Sequence, residues 1–253
     1  MSEATFYRGL LIAWFALAAL TLPTLFFVPA PYGRHTRGGW GPTLDSRFGW
    51  ILMESPAALV FAACFALGLR QANAMAWIFF LLWEAHYVRR AFIYPLLLRG
   101  GAKRMTLAIA LLGMLFNTGN GYLNGRWLFT LSGGYPISWL ADPRFLLGLA
   151  LFLAGLSVNT QADRALRQLR RPGESGYKIP QGGLFRWISC PNYLGEMIEW
   201  IGWAIATWSW PGLAFAVWVA ANLVPRAQAH HRWYHEHFPD YPPERKALLP
   251  KVW

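Results

Sequence analysis

The chain has 253 residues, a formal net charge of +11 and a hydrophobic fraction of 55%. Only 14% of the residues are charged, against about 25% in soluble domains, so the composition excludes an ordinary soluble protein and indicates an integral membrane protein. At about 20 residues for each spanning helix, a chain of this length forms mainly membrane helices with short loops, and we expect one domain, 1–253.

Apolar residues are concentrated in seven segments, which predict an all-α membrane protein with seven transmembrane helices. In chain order the segments are 10–28, 50–69, 74–98, 106–122, 145–158, 188–208 and 213–224. Pro211 and Gly212 divide the last apolar run, and we interpret them as a tight luminal turn between two helices. The alternative is one long kinked helix and six spans. Gly119-Asn120-Gly121 also favours a turn.

The basic residues fall mainly in alternate loops. If the N-terminus lies outside, 19 of the 23 lysines and arginines are on the cytosolic side, and Arg8, Arg70, Arg126 and Arg144 are outside. Cytosolic loops of membrane proteins carry an excess of this kind. The bias predicts a cytosolic C-terminus, and it explains the net charge without a nucleic-acid partner.

Glu54 lies inside the second apolar segment, and Tyr87 lies in the third. A carboxylate at membrane depth costs at least ~2.5 kcal/mol, so it normally faces a cavity or a partner. A tyrosine hydroxyl can donate to a carbonyl oxygen, and a neighbouring glutamate can orient it. From the residues alone, Glu54 could equally pair with a buried arginine and Tyr87 could be an interfacial tyrosine.

The fifth apolar segment continues into a polar helical face. Asn159, Asp163, Arg167 and Arg170 are spaced by four, four and three residues, so they share that face. Asn159 and Asp163 directly follow apolar residues, and polar groups at that depth tend to line cavities. The alternative is a solvated helix face beyond the membrane.

The sixth segment carries Asn192, Glu196 and Glu199 on one helical face. Carboxylates at the start of an apolar span are costly unless they are paired. They predict either a polar binding site or structural ion pairs with arginines of the loops.

After the seventh segment, Arg226, His230 and Tyr234 are four residues apart and form one stripe. The neighbouring histidines could indicate a zinc site. We reject it because no cysteine is near and Glu236 is on another face of the helix. We therefore expect no metal. A basic face that binds phosphate fits better, since arginine suits phosphate oxygens; the remaining alternative is cytosolic charge at a helix end.

Several longer runs identify a family. They are Leu166-Arg-Gln-Leu-Arg170-Arg-Pro-Gly-Glu, Tyr177-Lys-Ile-Pro-Gln-Gly-Gly-Leu-Phe, Asn192-Tyr-Leu-Gly-Glu196-Met-Ile-Glu-Trp-Ile-Gly, Arg226-Ala-Gln-Ala-His-His-Arg-Trp-Tyr234 and, earlier, Leu52-Met-Glu54-Ser-Pro, His86-Tyr87-Val-Arg-Arg-Ala-Phe-Ile-Tyr and Asn117-Thr-Gly-Asn-Gly-Tyr122. In these runs the chain resembles the steroid 5α-reductase family (3-oxo-5α-steroid 4-dehydrogenases), in the branch that acts on Δ4-3-oxosteroids.

The resemblance implies a seven-helix membrane reductase that uses NADPH. It places the substrate mainly at residues 1–125, with Glu54 and Tyr87 at the 3-oxo group, and the cofactor mainly at residues 145–253. Met53 stands where mammalian members often have Gln, which bears on substrate orientation. The positions that match the cofactor site, with Arg167 added from the basic loop, are Asn159, Asp163, Arg167, Arg170, Tyr177, Asn192, Glu196, Arg226, His230 and Tyr234.

The implied reaction is hydride transfer to C5 of an enone, with Tyr87 donating to the carbonyl oxygen and Glu54 supporting it. The apolar steroid would arrive from the bilayer. The alternatives are a reductase of another enone or enoyl lipid (a polyprenol or an enoyl thioester), an S-adenosylmethionine-dependent membrane methyltransferase, and a non-enzymatic scaffold or sterol sensor. The short loops favour a bacterial inner membrane; a eukaryotic source would imply the endoplasmic reticulum.

Overall fold

The computed structural model describes residues 2–31, 33–35, 37–98, 103–169, 171, 174 and 176–253. Most of these residues are helical. The α-helices in chain order are α1 (Glu3–Phe27), α2 (Ser46–Ala66), α3 (Ala74–Val88), α4 (Tyr94–Leu96), α5 (Leu107–Arg126), α6 (Pro143–Gln168), α7 (Pro191–Thr207) and α8 (Trp210–His237).

Shorter elements connect these helices. A π-helical turn, Arg89–Ile93, joins α3 to α4, and a second, Trp127–Leu131, extends α5. Turns of 3₁₀ helix lie at Gly33–His35, Ile137–Ala141 and Gly183–Arg186. Strands β1 (Thr43–Asp45) and β2 (Arg104–Thr106) pair antiparallel, with Thr43 opposite Thr106.

Each of the seven predicted apolar segments coincides with a helix. Three of the helices, α1, α2 and α6, are long and apolar enough to cross a membrane by length and composition. Large apolar side chains such as Ile12, Leu20 and Leu59 are exposed on the outside of the bundle, where a soluble monomer would rarely leave so much apolar surface. These features agree with the prediction of a helical membrane protein; the number of crossings stays a prediction.

Two predicted turns are placed differently in the structure. The chain does form two helices at 188–237, but the turn between them lies at Trp208, which has φ 43°, and Ser209, which accepts from the Gly212 amide at 3.2 Å. Pro211 belongs to the first turn of α8, where a proline costs no hydrogen bond. The turn predicted at Gly119–Gly121 is wrong, since these residues are inside α5.

The connections gather at the two ends of the bundle. One end holds the start of α1, and we call it the N-terminal end; there Glu3 pairs with Arg126 at 2.6 Å. At the same end the Asn73 side chain donates to the Tyr135 carbonyl, and the Tyr135 hydroxyl donates to the Thr207 carbonyl. At the opposite end, the basic end, β1 pairs with β2, Arg34 donates to Tyr234 near the end of α8 and Lys246 pairs with Ile188. Successive connections therefore alternate between the two ends.

An aromatic core lies between α2, α3 and α7. Phe61, Phe79, Trp83 and Trp203 are fully buried, and the Phe61 and Trp83 rings stack at a centroid distance of 4.5 Å. The Trp83 indole N–H donates to the Ala57 carbonyl at 3.0 Å. This rigid core holds the C-terminal half of α3 in a fixed position.

Helices α6 and α7 pack with their backbones in contact. A Cβ atom at Gly155 would be 2.3 Å from the Glu199 amide nitrogen, and a Cβ at Gly195 would be 2.5 Å from the Asn159 nitrogen. Gly148 and Gly202 repeat the arrangement two turns away. Only glycine permits this approach, which brings the polar face of α6 against the start of α7.

Candidate functional site

Glu54 and Tyr87 are held by two asparagines of α5. The Asn117 amide donates to Glu54 Oε2 at 3.2 Å, and the Asn120 amide lies 3.5 Å from Tyr87 Oη. Asn117 and Asn120 are one helical turn apart and project from the same face. The structure therefore brings the predicted acid and the predicted phenol to one side of α5.

The asparagine row continues for a further turn. Asn124 donates to the Asn120 side-chain oxygen at 3.1 Å and accepts from the Trp203 indole at 3.0 Å. Asn117, Asn120 and Asn124 are all buried, and buried amides are kept only when their hydrogen bonds are made. Sequence reasoning missed this row as a site feature, although its spacing of three and four within an apolar helix was a visible signal.

Arg90 lies between three carboxylates. Its guanidinium nitrogens are 3.9 Å from Glu54 Oε1, 3.6 Å from Asp163 Oδ2 and 3.7 Å from Glu196 Oε2. It also lies over the Trp50 ring at 4.6 Å. The charge pattern of the sequence places Arg90 among the cytosolic charges; in the structure it lies in the π-helical turn Arg89–Ile93, and its side chain is 13% exposed.

The neighbouring arginine and the start of α7 complete this cluster. Arg89 donates to Asn159 Oδ1 at 2.6 Å and is 3.7 Å from Asp163 Oδ2. The Asn159 amide donates to the Asn192 carbonyl at 2.9 Å and is 3.4 Å from Glu196 Oε2. The predicted residues of α6 and α7 thus contact one another.

A cavity of about 450 Å³ opens beside this cluster at the basic end. The predicted cofactor residues that line it are Asp163, Arg167, Tyr177, Asn192, Arg226, His230 and Tyr234. Asn159 and Glu196 lie behind the wall and contact residues that line it. Arg170 is outside the described residues.

The cavity is strongly cationic. Its basic lining residues are Arg34, Arg90, Lys103, Arg104, Arg167, Lys178 and Arg226. Asp163 is the one carboxylate among the described lining residues. Cationic forks and ammonium groups around a concave site suit phosphate oxygens, so the cavity fits a polyanionic ligand.

Arg34 closes one side of the cavity, and the sequence did not single it out. Its guanidinium lies over the rings of Tyr177, Trp233 and Tyr234 at 5.1, 4.8 and 4.4 Å, and it donates to Tyr234 Oη at 3.2 Å. These contacts bind the 29–45 loop to α8 and to the loop that carries Tyr177.

His35 and His230 meet edge to face at the same place, with ring centroids 5.1 Å apart. His230 Nδ1 is 2.8 Å from the Arg226 carbonyl, so Nδ1 carries the proton and Nε2 can accept. Burial, together with the charges of Arg34, Arg226 and Arg37, lowers the pKa of His35 to about 4. His35 is therefore neutral at pH 7.

The C-terminal segment fixes the loop that carries Tyr177 and Lys178. Arg245 is 2% exposed and donates to the Pro180 carbonyl and to Gln181 Oε1, each at 2.9 Å. Main-chain pairing of Ile188 with Lys246 ties the same segment to the start of α7. Arg245 thereby holds the loop whose residues Tyr177 and Lys178 line the cavity.

His86 and Glu199 form a buried pair deeper in the bundle. His86 Nδ1 is 2.8 Å from Glu199 Oε1, and the side chains are 2% and 0% exposed. The pair joins α3, one residue before Tyr87, to α7, one turn after Glu196. Neither residue lines the cavity. Among the residues that the structure describes, no group of His, Cys, Asp and Glu could hold a metal ion.

The arrangement has two connected parts. One is an acid and a phenol held by asparagines among apolar helices, and the other is a cationic cavity at the basic end. Arg90 touches both, since it pairs with Glu54 and lines the cavity. The first part can polarise a carbonyl oxygen, and the second can bind a phosphate-bearing ligand.

Residues 103–253 match a family model described as 3-oxo-5-alpha-steroid 4-dehydrogenase. Steroid 5-alpha-reductase DET2 of Gossypium hirsutum is 41% identical, over 100% of this chain and 99% of that protein. The 3-oxo-5-alpha-steroid 4-dehydrogenase 1 of Bos taurus is 45% identical, over 93% of this chain and 92% of that protein. The 3-oxo-5-alpha-steroid 4-dehydrogenase 2 of Sus scrofa is 44% identical, over 93% of each chain.

Proposed function

Since the chain belongs to the 3-oxo-5-alpha-steroid 4-dehydrogenase family, we propose that it reduces 3-oxo-Δ4-steroids to 5α-dihydrosteroids with NADPH. It is an oxidoreductase that acts on a carbon–carbon double bond of steroids. The observation that carries the proposal is the cationic cavity joined through Arg90 to Glu54.

The cavity residues fit a dinucleotide phosphate. Arg167, Arg226 and Lys178 would meet the phosphate oxygens, because a lining with seven cations and one described carboxylate attracts anions. Asn159, Asp163, Asn192 and Glu196 offer hydrogen-bond partners for amide and ribose groups. Tyr177, His230 and Tyr234 would flank the ligand, and Arg170 belongs to the proposed set by its position in the family motif.

Tyr87 and Glu54 would act on the 3-oxo group. NADPH, when bound, supplies the hydride that adds to C5. Tyr87 donates a hydrogen bond to the carbonyl oxygen, where negative charge develops, and one such donor contributes roughly 3 kcal/mol to transition-state stabilisation. Glu54, oriented by Asn117, supports that oxygen. A proton added to C4 completes saturation of the double bond.

The same proposal includes the membrane arrangement. The bundle would cross the bilayer seven times with its basic end in the cytosol, where NADPH is available, and the steroid would enter from the lipid. The positive-inside rule supports this orientation. We place the protein in a bacterial inner membrane, or in the endoplasmic reticulum membrane if the source is eukaryotic.

The test is turnover by protein purified in lipid nanodiscs with NADPH and progesterone, followed by detection of the 5α product. Glu54→Gln and Tyr87→Phe are each expected to lose most of the turnover, since each removes a group at the carbonyl oxygen. Both should keep NADPH affinity, because neither residue lines the cavity. Tyr122→Phe is the matched control and should retain activity, because Tyr122 lies near the C-terminal end of α5 and its hydroxyl donates to Glu3.

Near-normal turnover in both variants would refute the assigned roles. A wild-type protein that neither binds NADPH nor forms the 5α product would refute the function itself.

A further inference from the structure

Arg90 contacts side chains from three different helices. Its partners are Glu54 of α2, Asp163 of α6 and Glu196 of α7, at 3.6 to 3.9 Å. These distances exceed that of a direct N–H···O hydrogen bond, about 2.9 Å. The guanidinium is therefore shared among the three carboxylates, without a short hydrogen bond to any one of them.

The two edges of the guanidinium face the two parts of the site. Nε is the atom nearest Glu54, whereas Nη1 and Nη2 are nearest Asp163 and Glu196. A guanidinium is planar and rigid. A small rotation that brings the Nη edge closer to a ligand in the cavity must therefore also move Nε relative to Glu54.

The surroundings restrict how Arg90 can move. Its side chain is 13% exposed and is stacked over Trp50 and Tyr94, at 4.6 and 5.2 Å from the ring centroids. Stacking permits rotation in the plane of the guanidinium but opposes its departure. Arg89 offers a contrast: in the described part of the chain it pairs with Asp163 and donates to Asn159, whereas the arginine that pairs with Glu54 is Arg90.

We propose that Arg90 is a positioning residue that couples the two ligands, so that occupancy of the cavity sets the orientation of Glu54 towards the ketone. This inference rests on the proposed function. By linkage, each ligand must raise the affinity of the other by the same factor. The coupling depends on the rigid planar guanidinium, so a positive charge alone at this position does not couple the two ligands.

The experiment titrates NADPH by its fluorescence with and without saturating 5α-dihydroprogesterone, in nanodiscs. This saturated ketone keeps the 3-oxo group and accepts no hydride at C5, so no turnover disturbs the titration. In the wild type the ketone should tighten NADPH binding roughly tenfold, within the usual range of coupling between sites. In Arg90→Lys, which keeps the charge and loses the planar fork, the factor should fall to about one.

Arg89→Lys is the matched control. It also replaces an arginine that pairs with Asp163 by a lysine. It should therefore weaken NADPH binding but keep the wild-type coupling factor. Glu54→Gln provides a second variant in case Arg90→Lys does not fold, and it should lose coupling without a change in the affinity for NADPH alone.

Equal coupling factors in the wild type and Arg90→Lys would overturn the inference, as would the absence of coupling in the wild type. Coupling that persists in Glu54→Gln would also overturn it. These results leave the proposed function intact, because wild-type turnover is measured separately.

Discussion

Individual polar residues in this protein are placed by partners that lie far away in the chain. Glu54 receives its hydrogen bond from Asn117, and Arg89 donates to Asn159. The sequence predicted that Glu54 faces a partner, because an unpaired carboxylate is costly at membrane depth. It could not identify Asn117, since pairing over 63 residues depends on how α2 and α5 pack.

His86 and Glu199 show the same dependence and lead to a stability prediction. Replacing His86 with Leu leaves the fully buried Glu199 carboxyl group without its hydrogen-bond partner. The variant should lose about 1–3 kcal/mol of unfolding free energy, the usual effect of leaving a buried polar group unsatisfied. Unfolding by denaturing detergent in mixed micelles measures the change.

Two further variants control this measurement. His237→Leu changes an exposed histidine whose bond is to a carbonyl of its own helix, and it should alter stability by no more than about 0.5 kcal/mol. The double variant His86→Leu with Glu199→Leu should recover much of the lost stability, because no unpaired buried carboxyl group remains. Wild-type stability in His86→Leu alone would contradict a structural role for the pair.

Among the elements, the helices were predictable and their contacts were not. Long apolar runs require helices in a bilayer, where every backbone hydrogen bond must be made within the segment. Gly119 and Gly121 misled the prediction of a turn, because glycine also occurs in membrane helices where a neighbour packs closely. A Cβ at Gly119 would be 2.1 Å from the Trp14 ring, so this glycine makes room for α1.

The contact of α6 with α7 gives a prediction for these two elements. In Gly155→Ala the new methyl group would be 2.3 Å from the Glu199 nitrogen and 2.5 Å from the Gly195 carbonyl oxygen. Backbone atoms cannot turn aside, so the helices must separate. We expect a loss of about 1–3 kcal/mol in the free energy of unfolding, as for other overpacked sites. NADPH binding should also weaken, because Asn159 moves away from Asn192.

Gly9→Ala is the control for this substitution, since nothing lies within 4 Å of its Cβ position in α1. Alanine is the better helix former there by about 1 kcal/mol, so Gly9→Ala should be neutral or stabilising. If Gly155→Ala matched Gly9→Ala in thermal unfolding, the close approach of α6 and α7 would be refuted.

At the scale of the whole molecule, the connections alternate between an end that holds Glu3 and Arg126 and an end that holds the cationic cavity. The cavity forms where the 29–45 loop, the Tyr177 loop and the last turns of α8 meet. Arg34 and Arg245 are the arginines that tie these segments together. The charge asymmetry read from the sequence therefore corresponds to the end of the bundle that holds the cationic cavity.

This arrangement predicts that the two chain ends lie on opposite sides of the membrane. Cys64 and Cys190 are buried, so an impermeant maleimide should react only with an added cysteine. In spheroplasts expressing the chain, Ser2→Cys should be labelled, whereas Lys251→Cys should be labelled only after lysis. Equal labelling of the two variants before lysis would exclude an odd number of crossings.

The sequence by itself determined the class of protein, the seven apolar helices, the basic end and, through its motifs, the family and most of the proposed site. These features are local, because hydropathy, helical spacing and short motifs are properties of neighbouring residues. Only the tertiary structure decided that Asn117 and Asn120 hold Glu54 and Tyr87, that Arg90 connects the acid to the cavity and that Arg34 closes its rim. Such contacts depend on which helix faces pack together, and packing is decided by the whole bundle at once.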